Sequence, residues 1–163
     1  MKKNYVLIDY ENVQPEAMAV LDREHFSVMV FVGATQAKVT YEVASALQRM
    51  GERASYIKIS GNGSNALDFH IAFYIGQIAA DDPDAYFHIV SKDSGFDPLI
   101  PHLKSKKIFA CRSKSVSDIP LVKLESAHTP AERVAAVVEN LRQRGASRPR
   151  SLKTLGSTIN ALF

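Results

Sequence analysis

Three short segments hold the residues best suited to chemistry: VLIDYEN (6–12), SNALDFHIA (64–72) and IVSKDSGFDPL (89–99). Each sets an aspartate at the edge of a hydrophobic element: Asp9, Asp68 and Asp93. In an alternating βα chain, residues just beyond strand ends and in first helical turns meet on one rim of the sheet. Carboxylates that meet there repel one another unless a cation sits between them. Oxygen-only ligation of this kind suits Mg²⁺ or Mn²⁺. The pattern points to metal-assisted hydrolysis of a phosphate ester.

Each position also has a plainer explanation. Asp9 can serve as a turn residue, and Asn12 can cap a helix or orient a ligand. Asn65 has the character of an N-cap, which makes Asp68 the third helical residue, favoured by capping-box geometry and the helix dipole. Asp97 precedes Pro98 and can cap a short helix; Lys92 can neutralise Asp93 or bind phosphate. Ser91, Ser94 and Asn65 can contact phosphate oxygens or hold the carboxylates. The segment GNGSNA matches a loose dinucleotide fingerprint, but it follows the third strand and no matching acid lies downstream. The five histidines are scattered without zinc spacing, and neither a GxSxG elbow nor a P-loop lysine motif is present.

The elements that must position these groups alternate between strand and helix. NYVLID, SVMVFVG, ASYIKIS, YFHIVS and KIFACRS read as five strands. Between them, a helix is expected to open at Pro15, and KVTYEVASALQRMG carries Val39, Val43, Ala46, Leu47 and Met50 on one stripe. NALDFHIAFYIGQIAA reads as a long apolar helix buried on more than one side, and FDPLIPHLKSK as a short helix made irregular by Pro98 and Pro101. Strands separated by helices imply parallel pairing, hence a three-layer α/β fold for residues 1–125. Residues 126–163 differ in kind. AERVAAVVENLRQRG (stripe Val134, Val137, Val138, Leu141) and SLKTLGSTINALF (Leu152, Leu155, Ile159, Leu162) read as a small helical hairpin appended to the sheet domain.

A hydrophobic content of 46% and a charged content of 23% fit a soluble globular chain. The charge is unevenly spread. From Ser126 onward six basic residues stand against two acidic ones, a net +4, whereas the first 125 residues carry 14 and 15, a net −1. Basic segments attract polyanions by counterion release, so nucleic acid is a natural partner, with Arg148, Arg150 and Lys153 to grip its backbone; a solvated helix face is the alternative reading of the same charge. The single cysteine, Cys111, excludes an intramolecular disulfide and reads as a buried thiol in IFAC. No apolar run approaches a membrane span, and the apolar run after Lys2 and Lys3 is too short for a signal peptide. A cytoplasmic location is expected. An exposed apolar stripe on the C-terminal helices would allow a homodimer.

Taken together, the three segments resemble the PIN-like nucleases of the NYN family. VLIDYENV is similar to that family's first motif, with Asp9 and Asn12; NALDFHIA to its second, with Asp68; and VSKDSGFDPL to its third, with Asp93. In the third motif Gly95 stands where the family has a second aspartate, and Lys92 replaces a glycine. The resemblance covers roughly residues 4–112. It implies a Rossmann-like sheet and a metal-dependent ribonuclease in which Asp9, Asp68 and Asp93, with Asp97 as a substitute ligand, bind Mg²⁺ or Mn²⁺. It further implies that Asn12 assists catalysis and that RNA rather than DNA is the substrate. The rival reading is a catalytically weak, RNA-binding PIN-like module.

Overall fold

The computed structural model describes residues 3–127, 129–143 and 149–160. Five strands form one sheet: β1 (Asn4–Asp9), β2 (Phe26–Val32), β3 (Ala54–Lys58), β4 (Tyr86–Val90) and β5 (Phe109–Ser113). All four pairings are parallel, in the order β3-β2-β1-β4-β5. The helices of this part are α1 (Tyr41–Met50), α2 (Ala66–Asp81) and α3 (Leu99–Ser105). The expected α/β architecture with five parallel strands is therefore the observed one. From β1 the chain steps outward through β2 to β3, then returns to the other side of β1 as β4. That reversal is the topological switch point at which ligands bind in open α/β sheets.

The central strands are nearly continuous apolar runs because both faces of the sheet are covered. Leu7, Phe31, Phe87 and Ile89 on one face pack with Leu67, Ile71 and Ile75 of α2 and Leu103 of α3. The alternate residues Val6, Ile8, Val28 and Val30 are also buried, as is the α1 stripe of Val43, Ala46, Leu47 and Met50. Where β4 and β5 pair, desolvation drives the buried His88 imidazole down to about 3 and the partly buried Cys111 thiol up to about 11. Both are therefore neutral near pH 7, and the cysteine carries no thiolate reactivity.

Four expectations about the elements need correction. No α-helix opens at Pro15; Val13 N–H closes a turn on the Asp9 carbonyl, and only a 3-10 turn forms at Met18–Leu21. Val39 lies outside α1, because Thr40 caps that helix by accepting from Val43 N–H. Helix α2 is buried on one face only: Phe69 is 70% exposed and Phe73 64%. Asn65 does occupy the N-cap position, but its left-handed backbone (φ 62°) leaves the side chain without a capping bond.

Residues 117–163 form a second compact unit, distinct from that of residues 1–116. It contains α4 (Pro120–Glu125), which the sequence pattern did not suggest, α5 (Pro130–Gln143) and α6 (Leu152–Asn160). A capping box opens α5: Thr129 Oγ1 accepts from Glu132 N–H while Glu132 Oε2 accepts from Thr129 N–H. On α5, Val137 is buried but Val134 and Val138 are exposed; on α6, Leu152 is exposed. The apolar stripes expected there are thus only partly covered. Leu162 lies outside the described residues.

The two faces of α2 should separate in stability measurements. Ile71→Ala is expected to cost about 2–5 kcal/mol in urea unfolding, the range for emptying a filled core site. Phe69→Ala should stay within about 0.5 kcal/mol at low protein concentration.

Candidate active site

Asp9 ends β1 and is fully buried. A buried carboxylate survives only if its oxygens are hydrogen-bonded. Asp9 Oδ2 accepts from Ser91 Oγ at 2.7 Å and from Asn12 Nδ2 at 2.7 Å; Oδ1 accepts from Asn12 N–H at 3.2 Å. The register explains the first contact. Ile8 pairs with Val90, so Asp9 and Ser91 are the next neighbours across the β1–β4 switch point.

Ser91 is itself fully buried, and its hydroxyl also accepts from Asp93 N–H at 3.0 Å. One hydroxyl thus ties the Asp9 carboxylate to the backbone that carries Asp93. Asp93 caps a 3-10 turn (Ser94–Phe96), its Oδ1 accepting from Gly95 N–H at 2.7 Å. Gly95 leaves room for this. A Cβ there would stand 3.1 Å from Asp93 Oδ1, so any larger side chain crowds the carboxylate.

Asp68 stands at the third position of α2, half-exposed. Desolvation pushes its carboxyl up to about 6, assisted by the charges of Asp9, Asp93 and Glu11. These charges place the three aspartates, and Glu11 with them, in one electrostatic field. Glu11 reaches this position because residue 33 is glycine: a Cβ there would fall 1.8 Å from Glu11 Oε1. Beside Glu11 opens a cleft of about 300 Å³, lined also by Ala34, Thr35, Ile59, Gly61, Asn62, Gly63 and Ala66. The cleft shares only Glu11 with the acidic group.

Asp97 has a different partner. Arg112 holds it in a two-point ion pair, Nε to Oδ1 at 2.6 Å and Nη2 to Oδ2 at 3.0 Å, and also donates to the Ser91 carbonyl. This guanidinium keeps the Asp97 carboxyl below the usual range. Lys92 and Ser94 are exposed on the same loop, and Asn65 is exposed at the mouth of α2. Arg150 and Lys153 are exposed in the second unit, and Arg148 lies outside the described residues. Sequence reasoning passed over Arg112 and Gly33. Arg112 finds its carboxylate 15 residues upstream across a helix, and Gly33 is explained only by a side chain on another strand's loop.

The donor set fits a hard divalent cation in its chemistry: carboxylate oxygens only, one of them with a proton affinity raised by desolvation and, after it, by neighbouring negative charge. Among the described residues, however, no three acidic, histidine or cysteine side chains stand close enough to hold an ion jointly. Mg²⁺ commonly takes one or two carboxylates and keeps several waters, which suits this spread. The family comparison agrees with the geometry. A PIN domain model matches residues 3–113, and the chain belongs to that family, whose members are generally metal-dependent nucleases. No curated protein and no solved structure matches it. No helix among the described residues is long and apolar enough to cross a membrane.

Two stability effects follow. Ser91→Ala should cost about 1–3 kcal/mol by leaving a buried Asp9 oxygen short of a donor, read by chemical denaturation. For Asp68, the folded carboxyl binds its proton more tightly than the unfolded one. The contribution of Asp68 to stability is therefore fully present below about pH 4 and is lost as pH rises to about 6. Asp68→Asn should consequently raise the unfolding free energy at pH 7.5 in chelator-treated buffer, by no more than about 1 kcal/mol after solvent screening. That gain should vanish near pH 4.

Proposed function

We propose that this protein is a metal-dependent endoribonuclease of the NYN type, cutting phosphodiester bonds in single-stranded or structured RNA. The observation that carries this reading is the shared field of Asp9, Asp68 and Asp93 at the switch point of a PIN-family sheet. Asp68 and Asp93 present carboxylates that are not fully buried and would hold Mg²⁺ or Mn²⁺. Asp9, whose oxygens are taken up by Asn12 and Ser91, adds its negative charge to theirs. When bound, the ion acidifies a water and offsets charge on the scissile phosphate.

The chain's own residues do the positioning. Asn12 and Ser91 hold Asp9 in one orientation by three hydrogen bonds. Ser91 thereby acts on the carboxylates and leaves phosphate contact to the exposed Lys92, Ser94 and Asn65. Asp97 is occupied by Arg112, so it steadies the loop and is left out of the ligand set. Glu11 borders the cleft and adds charge to the site. Arg150 and Lys153 would grip the RNA backbone, each acting through its charge.

A second reading has its own observation. Gly95 occupies the position of a further acid, and the Asp93 carboxylate is turned onto Gly95 N–H. A PIN-like module that binds RNA but cuts it weakly would have this arrangement.

Cleavage of end-labelled single-stranded RNA with Mn²⁺, Mg²⁺ or EDTA separates the two. The nuclease reading expects products with either metal, none with EDTA, and a loss of about 100-fold or more in Asp9→Asn and Asp93→Asn. RNA retained on a gel yet intact with every metal would establish the binding module.

A further inference from the structure

The cleft beside Glu11 opens at the carboxyl ends of β1, β2 and β3, on the rim that carries the acidic group. Glu11 comes from the loop after β1, Thr35 from the loop after β2, and Ile59, Asn62 and Gly63 from the loop after β3. That last loop runs into α2, whose first turn holds Asp68. At about 300 Å³ the cleft has room for one small planar ligand. Ile59 is buried and gives it an apolar wall. A Cβ on Gly63 would meet nothing within 4 Å, so this chain's own packing does not require a glycine there.

Charge decides what enters. Glu11 seats its carboxylate over Gly33, and among the described residues no hydrogen bond or ion pair engages it. None of the residues lining this cleft is basic. A phosphate is therefore repelled there, whereas N–H donors are drawn in. The adjoining cleft has the opposite sign: Lys38 and Lys58 line it, three residues after Thr35 and one before Ile59. Acidic group, neutral wall and lysines thus follow one another along the same loops. That order suits a strand in which base and phosphate alternate.

The geometry points to this cleft as a base-reading subsite for one unpaired guanine, with Glu11 as the specificity-determining residue and with RNA as the ligand, as the reading of the acidic site supposes. Guanine presents two adjacent donors, N1–H and N2–H, which the two oxygens of one carboxylate accept together. Adenine and cytosine offer a single amino donor beside a ring-nitrogen acceptor. Uracil sets its one N3–H between two carbonyls, which a carboxylate repels. Thr35 and Asn62 carry donors from which guanine O6 can accept. Unpaired RNA bases are commonly read in this way, along their Watson–Crick edges.

The test is ¹H–¹⁵N NMR of the full chain titrated with guanosine or uridine in EDTA. Nucleosides carry no phosphate, so the outcome depends neither on a bound ion nor on cleavage. Guanosine should shift the amides of Thr35, Asn62 and Gly63, and bind at least about tenfold more tightly than uridine. Glu11→Gln should erase that preference, because an amide offers one donor and one acceptor and suits uracil instead. Gly63→Leu, which adds a side chain at the cleft wall, should weaken guanosine at least about tenfold. Equal affinity for the two nucleosides, shifts confined to other surfaces, or an unchanged preference in Glu11→Gln would overturn the proposal. RNA cut in a metal-dependent way with no preference for guanine would overturn it too, and would leave the nuclease reading standing. Guanosine seated in the cleft of a protein that cuts no RNA would uphold the subsite and remove the nuclease alone.

Discussion

The hydrogen bond from Ser91 Oγ to Asp9 Oδ2 joins the ends of β1 and β4 at the one place where the sheet reverses direction. A fully buried carboxylate is a costly thing to place at a strand end. Its cost is met by Ser91 from one side and Asn12 from the other, and this pins two loops to the same anion. Ser91 then fixes where the Asp93 backbone begins. Arg112 closes the arrangement from β5 by holding both Asp97 and the Ser91 carbonyl. The loop after β4 is in this way held at three points while its Asp93 side chain remains half-exposed.

Around that scaffold the remaining acids are arranged with opposing tendencies. The fold gathers Asp9, Glu11, Asp68 and Asp93 into one field, whose repulsion adds to desolvation in raising the proton affinity of Asp68. Repulsion of this kind is a cost that a cation relieves. A folded domain that keeps it without a structural return is expected to keep it for function. Two glycines shape the group: Gly33 admits Glu11, and Gly95 admits the inward turn of Asp93. Neither needs its glycine for a left-handed backbone; Gly33 is needed for the space, and a Cβ at Gly95 would only crowd the Asp93 carboxylate.

Much of this was legible in the chain itself. The strands NYVLID and YFHIVS announced themselves as apolar runs ending in polar residues, and alternation with helices implied the parallel sheet. The aspartates at those ends were visible for the same reason. What escaped was whatever depends on a partner far along the chain. Ser91 read as a phosphate contact or a holder of carboxylates, and only the β1–β4 register decides for the latter. Asp97 read as a substitute ligand until its pairing with Arg112 across α3 came into view. The solvent face of α2 was hidden by its composition: a helix with three phenylalanine or tyrosine rings and three isoleucines reads as buried all round, yet the sheet covers one side of it.

The central claim is that the acidic group is a cation site, and the carboxyl carbon of Asp68, followed by ¹³C NMR across pH 3–9, tests it most directly. Without metal the midpoint should lie near 6. With saturating Mg²⁺ it should fall by at least about one unit, because the ion favours the ionised carboxylate. A midpoint that is the same with and without Mg²⁺ would contradict the account, since four neighbouring negative charges would then be shown to hold no cation between them.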